Sequence, residues 1–229
     1  FAPFIYDGLS LKRQLRTITT DPATWLRPPP RTVGYLTFDV QNTVHGGWLP
    51  GYHFVNIAIH IAASVCLFWL IYLTIVKSPA CRRLVPAAVA IGAMAALIFE
   101  LHPLQTQSVT YLYQRFESLM GALVIASMLL FCHSCFTDSE RDRRSVAYLV
   151  ASGLAICLAI GTKESGAMAP FVLLWFDRVF VSPNWKILAR RRGWFYGLFG
   201  VVFAGGVIFL YLNRSHYVAG GIFDTETVG

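Results

Sequence analysis

Five ionisable side chains stand at the ends of long apolar runs: His102, Arg115 and Glu117 beside one gap, Lys163 and Glu164 in another. If the runs cross a membrane in alternating directions, both gaps open on one face. Charged groups at that depth are costly enough to be functional candidates. His102 ends a run and precedes Pro103, which suits the first position of a helix. Its imidazole could act as a base, donate a hydrogen bond to substrate, or cap the helix that follows. Arg115 and Glu117 either pair with each other at the surface or leave the Arg115 fork for a phosphate, to which its planar geometry is matched. Lys163 and Glu164 lie between Gly161 and Gly166, in a turn too tight to leave the bundle, so solubilising a loop does not explain both charges.

Other candidates are more isolated. His53, Asn56 and His60 fall at i, i+3 and i+7 and form one polar stripe. The two histidines are about 10 Å apart along a helix axis, too far to share a metal. That leaves a hydrogen-bonded seam between helices, or a substrate contact for His53. Arg214, just beyond the last apolar run, is an interface anchor or a partner for an anionic head group. Asp7 is a loop carboxylate or an acid–base group. Cys132-His133-Ser134-Cys135 is half a zinc site with no second pair, which favours thiols at a helix end. Phosphate-binding glycine loops, nucleophile elbows and HExxH pairs are absent. The external acids are too few for a hard-cation site, so no metal and no cofactor is expected.

The elements that must hold these residues are membrane helices. The chain has 229 residues, 55% hydrophobic and 14% charged, with a mean hydropathy of +0.54, whereas soluble domains carry about a quarter charged residues. Runs close to the roughly 20 residues that cross hydrocarbon cover 51–76, 84–101, 118–135, 146–161 and 194–212. A shorter sixth covers 165–181 and is interrupted by Asp177-Arg178. Lys77, Arg82 and Arg83 lie in the first linker, Arg141, Arg143 and Arg144 in the third, and Arg178, Lys186, Arg190, Arg191 and Arg192 in the fifth. The bias of Lys and Arg toward cytoplasmic loops puts these linkers inside, and both candidate gaps outside with both termini. The net charge of +7 needs no nucleic acid, because anchoring beside an anionic leaflet accounts for it. No cysteine falls in an expected external loop, so no disulfide framework is implied.

Residues 1–50 read as an external segment with two membrane-lying helices. The first spans 10–18, where Leu11, Leu15 and Ile18 alternate with Lys12, Arg13 and Arg16. The second spans 32–44 and ends at Gly46-Gly47, after the extended Arg27-Pro28-Pro29-Pro30-Arg31. Residues 51–212 form the transmembrane bundle, and 213–229 begin a further external segment. The chain opens without Met and stops in a polar run, so a longer protein is expected. The fold class is an all-α polytopic membrane protein of about six spans with external interfacial helices.

Three separated motifs, in order, carry a resemblance. Arg31 with Leu36-Thr37-Phe38, then Gly51-Tyr52-His53-Phe54-Val55-Asn56 and His60, form the first. Leu101-His102-Pro103-Leu104-Gln105-Thr106-Gln107-Ser108-Val109 with Arg115 and Glu117 is the second, similar to an "HPLxTExV" loop. Lys163-Glu164 with Pro170 and 173–177 is the third. Together they resemble the GT-C superfamily of membrane glycosyltransferases, of the TMTC type related to protein O-mannosyltransferases and often followed by tetratricopeptide repeats. The resemblance implies a GT-C helical bundle that transfers a sugar, commonly mannose, from a polyprenyl phosphate to a protein hydroxyl on the non-cytoplasmic face. The membrane would be a bacterial inner membrane or the endoplasmic reticulum, the site facing periplasm or lumen. The expected partners are membrane lipids, the lipid-linked sugar, and a protein acceptor or partner membrane subunits.

On that resemblance Asp7 is the base or the acceptor-orienting acid, Arg115 and Lys163 meet the lipid phosphate, and His102 and Glu164 support them. Two positions depart from the pattern: Gly8 replaces a second acid, and Gln107 replaces the Glu of the loop and cannot act as a base. These departures suit a competing reading, an inactive bundle kept as a scaffold subunit. A transporter would place polar groups through the bilayer midplane, whereas the candidates cluster at one end.

Overall fold

A computed structural model describes residues 31–46, 48–137 and 142–212. Among the described residues it is all helical. Helix α1 spans Thr32–His45 and α2 spans Leu49–Lys77; a 3-10 stretch, Pro79–Ala87, leads into α3, Ala88–Leu101. A broken segment follows, made of the 3-10 turn Pro103–Gln105, the short α4 at Thr106–Thr110 and the 3-10 turn Leu112–Gln114. Then come α5 at Arg115–Cys135, α6 at Arg143–Thr162, a 3-10 turn at Glu164–Met168, α7 at Ala169–Phe176, a π turn at Asp177–Val181, and α8 at Trp185–Leu212. The chain divides into two compact units, one ending at Val181 and the other holding α8. Within the second, Arg192 Nη2 donates to Ser182 Oγ at 3.1 Å.

Among the described residues, four helical stretches are long and apolar enough to cross a membrane: Leu49–Lys77, Pro79–Leu101, Leu112–Cys135 and Arg143–Thr162. The first four expected runs lie within them, and the fifth lies within α8. The sixth, 165–181, is not one continuous α-helix: it breaks into a 3-10 turn, an eight-residue α7 and a π turn. Burial is distributed for a lipid solvent. Phe54, Ile61, Val65, Val89, Leu97, Ile98, Val150 and Leu154 are exposed, while Asn56, Arg115, Ser127, Ser152, Thr162 and Asp177 are fully buried. A water-soluble bundle would invert that order. This is an integral membrane protein.

Inside, small hydroxyls join the helices. Ser152 Oγ donates to the Ser127 carbonyl at 2.8 Å, Ser145 Oγ to the Ser134 carbonyl at 2.8 Å, and Ser64 Oγ to the Ala96 carbonyl at 3.1 Å. Such bonds and close-approaching small residues replace the hydrophobic drive that lipid removes. At one end of the bundle α1 docks on α5 and α6. Phe38, Tyr52 and Phe116 form a buried cluster there, with Tyr35 and Leu112 against it. The helix expected over 32–44 is present as Thr32–His45, and Gly46 ends it at φ 59°, a conformation glycine takes without a Cβ penalty.

Candidate functional site

The polar stripe of α2 is the base of the site. Asn56 is fully buried and its amide is used twice: Oδ1 accepts from Arg115 Nε at 2.7 Å, and Nδ2 donates to the Tyr111 carbonyl at 3.5 Å. Arg115 Nη2 also donates to the Tyr52 carbonyl at 3.0 Å, and the guanidinium lies 4.1 Å from the Phe38 ring centroid. Arg115 thus fastens α1, α2 and α5 together, and only its Nη1 lacks a partner. One helical turn deeper, His60 Nε2 faces Glu100 Oε2 at 3.6 Å, and its ring stacks on Phe99 with centroids 4.9 Å apart.

Above this base, two ion pairs cross between elements. Arg31 grips Glu164 through both Nε and Nη2, at 3.1 to 3.3 Å, the bidentate geometry of strong guanidinium–carboxylate contacts. Lys163 pairs with Glu117. Lys163 and Glu164 therefore face different partners, because the extended backbone of Lys163 (φ −156°, ψ 144°) sends successive side chains to opposite sides. Arg31 itself sits at the left-handed φ of 64°, and its carbonyl accepts the first bond of α1 from the Tyr35 N–H at 3.1 Å. Burial raises the Glu164 carboxyl, but a backbone N–H and Arg31 lower it further, and the net shift is downward. The hydrogen bond to Glu164 raises Arg31. Burial, then a hydrogen bond with Tyr113, pushes the Tyr35 phenol up to about 12.

Of the expected site residues, the structure gathers Arg115, Glu117, Lys163 and Glu164 at one end of the bundle. Arg115 and Glu117 do not pair with each other: Arg115 is enclosed beneath, and Glu117 turns to Lys163. His102 is exposed, and its Nδ1 accepts from the Leu104 N–H at 3.2 Å as a cap. His53 is half-buried on α2. Asp7 and Arg214 lie outside the described residues. The helix expected after Pro103 breaks at Tyr111, whose extended φ of −89° and ψ of 118° turns its carbonyl to Asn56. Sequence reasoning missed Arg31 and Glu100 as members of this network. Glu100 carried a usable signal, an acid inside an apolar run; Arg31 was named only as a motif residue, and nothing local pointed to its pairing with Glu164, 133 residues away.

Two known proteins are similar to this chain in sequence. The human protein O-mannosyl-transferase TMTC4 is 30% identical over 142 residues, and the Drosophila melanogaster protein O-mannosyl-transferase Tmtc3 is 29% identical over 157 residues. Each alignment covers 59% of this chain. The chain resembles the TMTC protein O-mannosyl-transferases. It spans less than a fifth of either relative, 19% and 16% of their lengths. No family model matches the chain, and no solved structure does. Set beside the TMTC-like motifs, the structure puts Arg31 of the first, Glu117 of the second and Lys163-Glu164 of the third into one network. Gln107, which departs from the TMTC-like pattern, is exposed on α4, and Gly8 lies outside the described residues.

Proposed function

We propose that this chain is the membrane part of a glycosyltransferase that moves a sugar, mannose, from a polyprenyl phosphate to a protein hydroxyl on the non-cytoplasmic face. The observation that carries the reading is the similarity to two O-mannosyl-transferases. The convergence of all three motifs at one end of the bundle supports it. In the reaction the acceptor oxygen bonds to the anomeric carbon as the bond from that carbon to the phosphate oxygen breaks. The acceptor proton passes to a carboxylate, and charge collects on the departing lipid phosphate. Asp7 takes the proton. Lys163 and Arg31, the partly exposed cations at this end, meet the phosphate, a placement of positive charge that lowers the barrier where the leaving group develops. Arg115, enclosed by Asn56, Tyr52 and Phe38, holds the floor of the site, and Glu164, Glu117 and His102 orient the groups above it.

The test is transfer of radiolabelled mannose from polyprenyl-phosphate-mannose by the full-length protein in membranes. Native protein transfers, and Asp7→Ala loses activity on the order of 10²- to 10⁴-fold, the contribution of a general base. If native protein neither transfers nor binds the donor, the enzyme reading fails and a scaffold role replaces it.

A further inference from the structure

Tyr113 stands beside Arg31, and none of the roles described above uses it. It belongs to the 3-10 turn Leu112–Gln114, which is fixed from both sides. The Tyr111 carbonyl before it accepts from Asn56 Nδ2 at 3.5 Å and from the Gln114 N–H at 3.1 Å. Arg115 after it is locked into the interior by Asn56. The side chain is held as well. Its ring packs on Phe116, with centroids 5.1 Å apart and planes tilted by 55°. Its hydroxyl lies within hydrogen-bonding reach of the Tyr35 hydroxyl and the Arg31 guanidinium. Yet Tyr113 remains 56% exposed.

A tyrosine at a membrane boundary ordinarily sinks its ring into lipid and sends its hydroxyl to water. Here protein groups take the hydroxyl, and ring surface is left open. With only two side-chain torsions to fix, a ring held at its edge and at its hydroxyl is a flat apolar surface already in place.

What comes to that surface follows from its neighbours. On the reading proposed above, Arg31 and Lys163 meet the lipid phosphate. The sugar is joined to that phosphate through one bridging oxygen, so its ring must lie against groups that border the cations. Glu164 borders Arg31 with a charge, and Tyr35 is half-buried. Tyr113 offers an open aromatic face. A pyranose carries C–H groups on a face and hydroxyls around its rim. Its C–H face suits the electron-rich face of an aromatic ring, and its rim hydroxyls are left for polar neighbours.

We propose that Tyr113 is the platform on which the sugar ring of the donor stacks, so that it favours a lipid phosphate that bears a sugar over one that does not. The inference rests on the glycosyltransferase reading and deepens it. Tyr113 is a sugar-binding and positioning residue, and the proton transfer does not involve it.

The test measures binding of polyprenyl-phosphate-mannose and of bare polyprenyl phosphate to the full-length protein in lipid nanodiscs. The parent binds the mannosylated lipid more tightly. Tyr113→Ala weakens that binding by roughly fivefold to tenfold, the scale of an aromatic contact, and leaves the bare lipid unchanged. Tyr113→Phe, which keeps the ring, keeps the parent's preference. Equal loss of both lipids in Tyr113→Ala overturns the proposal, because the residue then serves the fold or the phosphate. No loss of either overturns it too, as does a Phe variant that behaves like the Ala one. Should Tyr113→Ala fail to fold, Tyr113→Leu, which keeps apolar bulk without a flat face, takes its place with the same expectations. A parent that binds neither lipid removes the glycosyltransferase reading, and this inference with it. A parent that binds both equally overturns this inference alone.

Discussion

Replacing Arg115 by Met separates a structural from a substrate-binding role for that residue. Met has comparable length and no charge, so it removes the fork while filling much of its space. The native guanidinium makes two hydrogen bonds, at 2.7 Å to Asn56 Oδ1 and 3.0 Å to the Tyr52 carbonyl, each worth roughly 1.5–3 kcal/mol as a bond to a charged group. Its position 4.1 Å from the Phe38 centroid adds about 1–2 kcal/mol. Against these stands the cost of burying the cation, several kcal/mol, which the substitution relieves. What remains is two buried acceptors stripped of their donor, at about 1–3 kcal/mol each. The expected net loss is about 2–5 kcal/mol, measured by reversible unfolding of the purified protein in mixed micelles. A cycle with Asn56→Leu should return a coupling energy of about 1–3 kcal/mol. An Arg115→Met protein within about 0.5 kcal/mol of the parent, the ordinary range of surface changes, would refute this account. If such a protein also lost donor binding, Arg115 would contact the lipid phosphate after all.

Three further outcomes follow from the same end of the bundle. A Cβ on Gly166 would lie 2.6 Å from the Ala159 carbonyl carbon, whereas one on Gly121 meets nothing within 4 Å; Gly166→Ala should destabilise by about 1–3 kcal/mol and Gly121→Ala should stabilise by up to about 1 kcal/mol in the same unfolding assay. Glu164 is depressed when folded, so its contribution is present above the ordinary carboxylate pKa and fades as pH falls through the folded value. Because it is 60% exposed, Glu164→Gln should cost well under 1 kcal/mol at neutral pH, and its melting curve should merge with the parent's at low pH. The Tyr35 phenol, held at about 12 against an ordinary value near 10, contributes stability below pH 10 that is lost as pH rises toward 12. The ultraviolet titration of Tyr35→Phe should therefore lack one late-ionising phenol.

The helices were legible because their signal is local. Runs such as 51–76 and 146–161 need nothing beyond composition and length to be read as spans, and α2 and α6 contain them with a few residues added at the ends. The 165–181 run failed the same reading because Asp177 and Arg178 fall where the chain leaves the α-helical ladder for a π turn, and averaged hydropathy smooths over a change of helix type. The site was legible as a set of residues and not as a set of partners. Arg115 and Glu117 are two apart, so on a helix their side chains diverge by about 200°, which sends one to Asn56 in the interior and the other to Lys163. Lys163 and Glu164 are adjacent on extended backbone and diverge for the other reason.

Neighbouring opposite charges in sequence thus argue against a mutual pair in this chain. The identity of each true partner depended on how the bundle brings its ends together. Arg31 makes the point most strongly. It lies outside every apolar run, yet its reach to Glu164 ties the start of α1 to the turn behind α6. On the proposed function, that contact and the one between Lys163 and Glu117 hold carboxylates where the donor phosphate would sit, and donor binding would exchange one set of anionic oxygens for another. The enclosed Arg115 then keeps the floor beneath them unchanged.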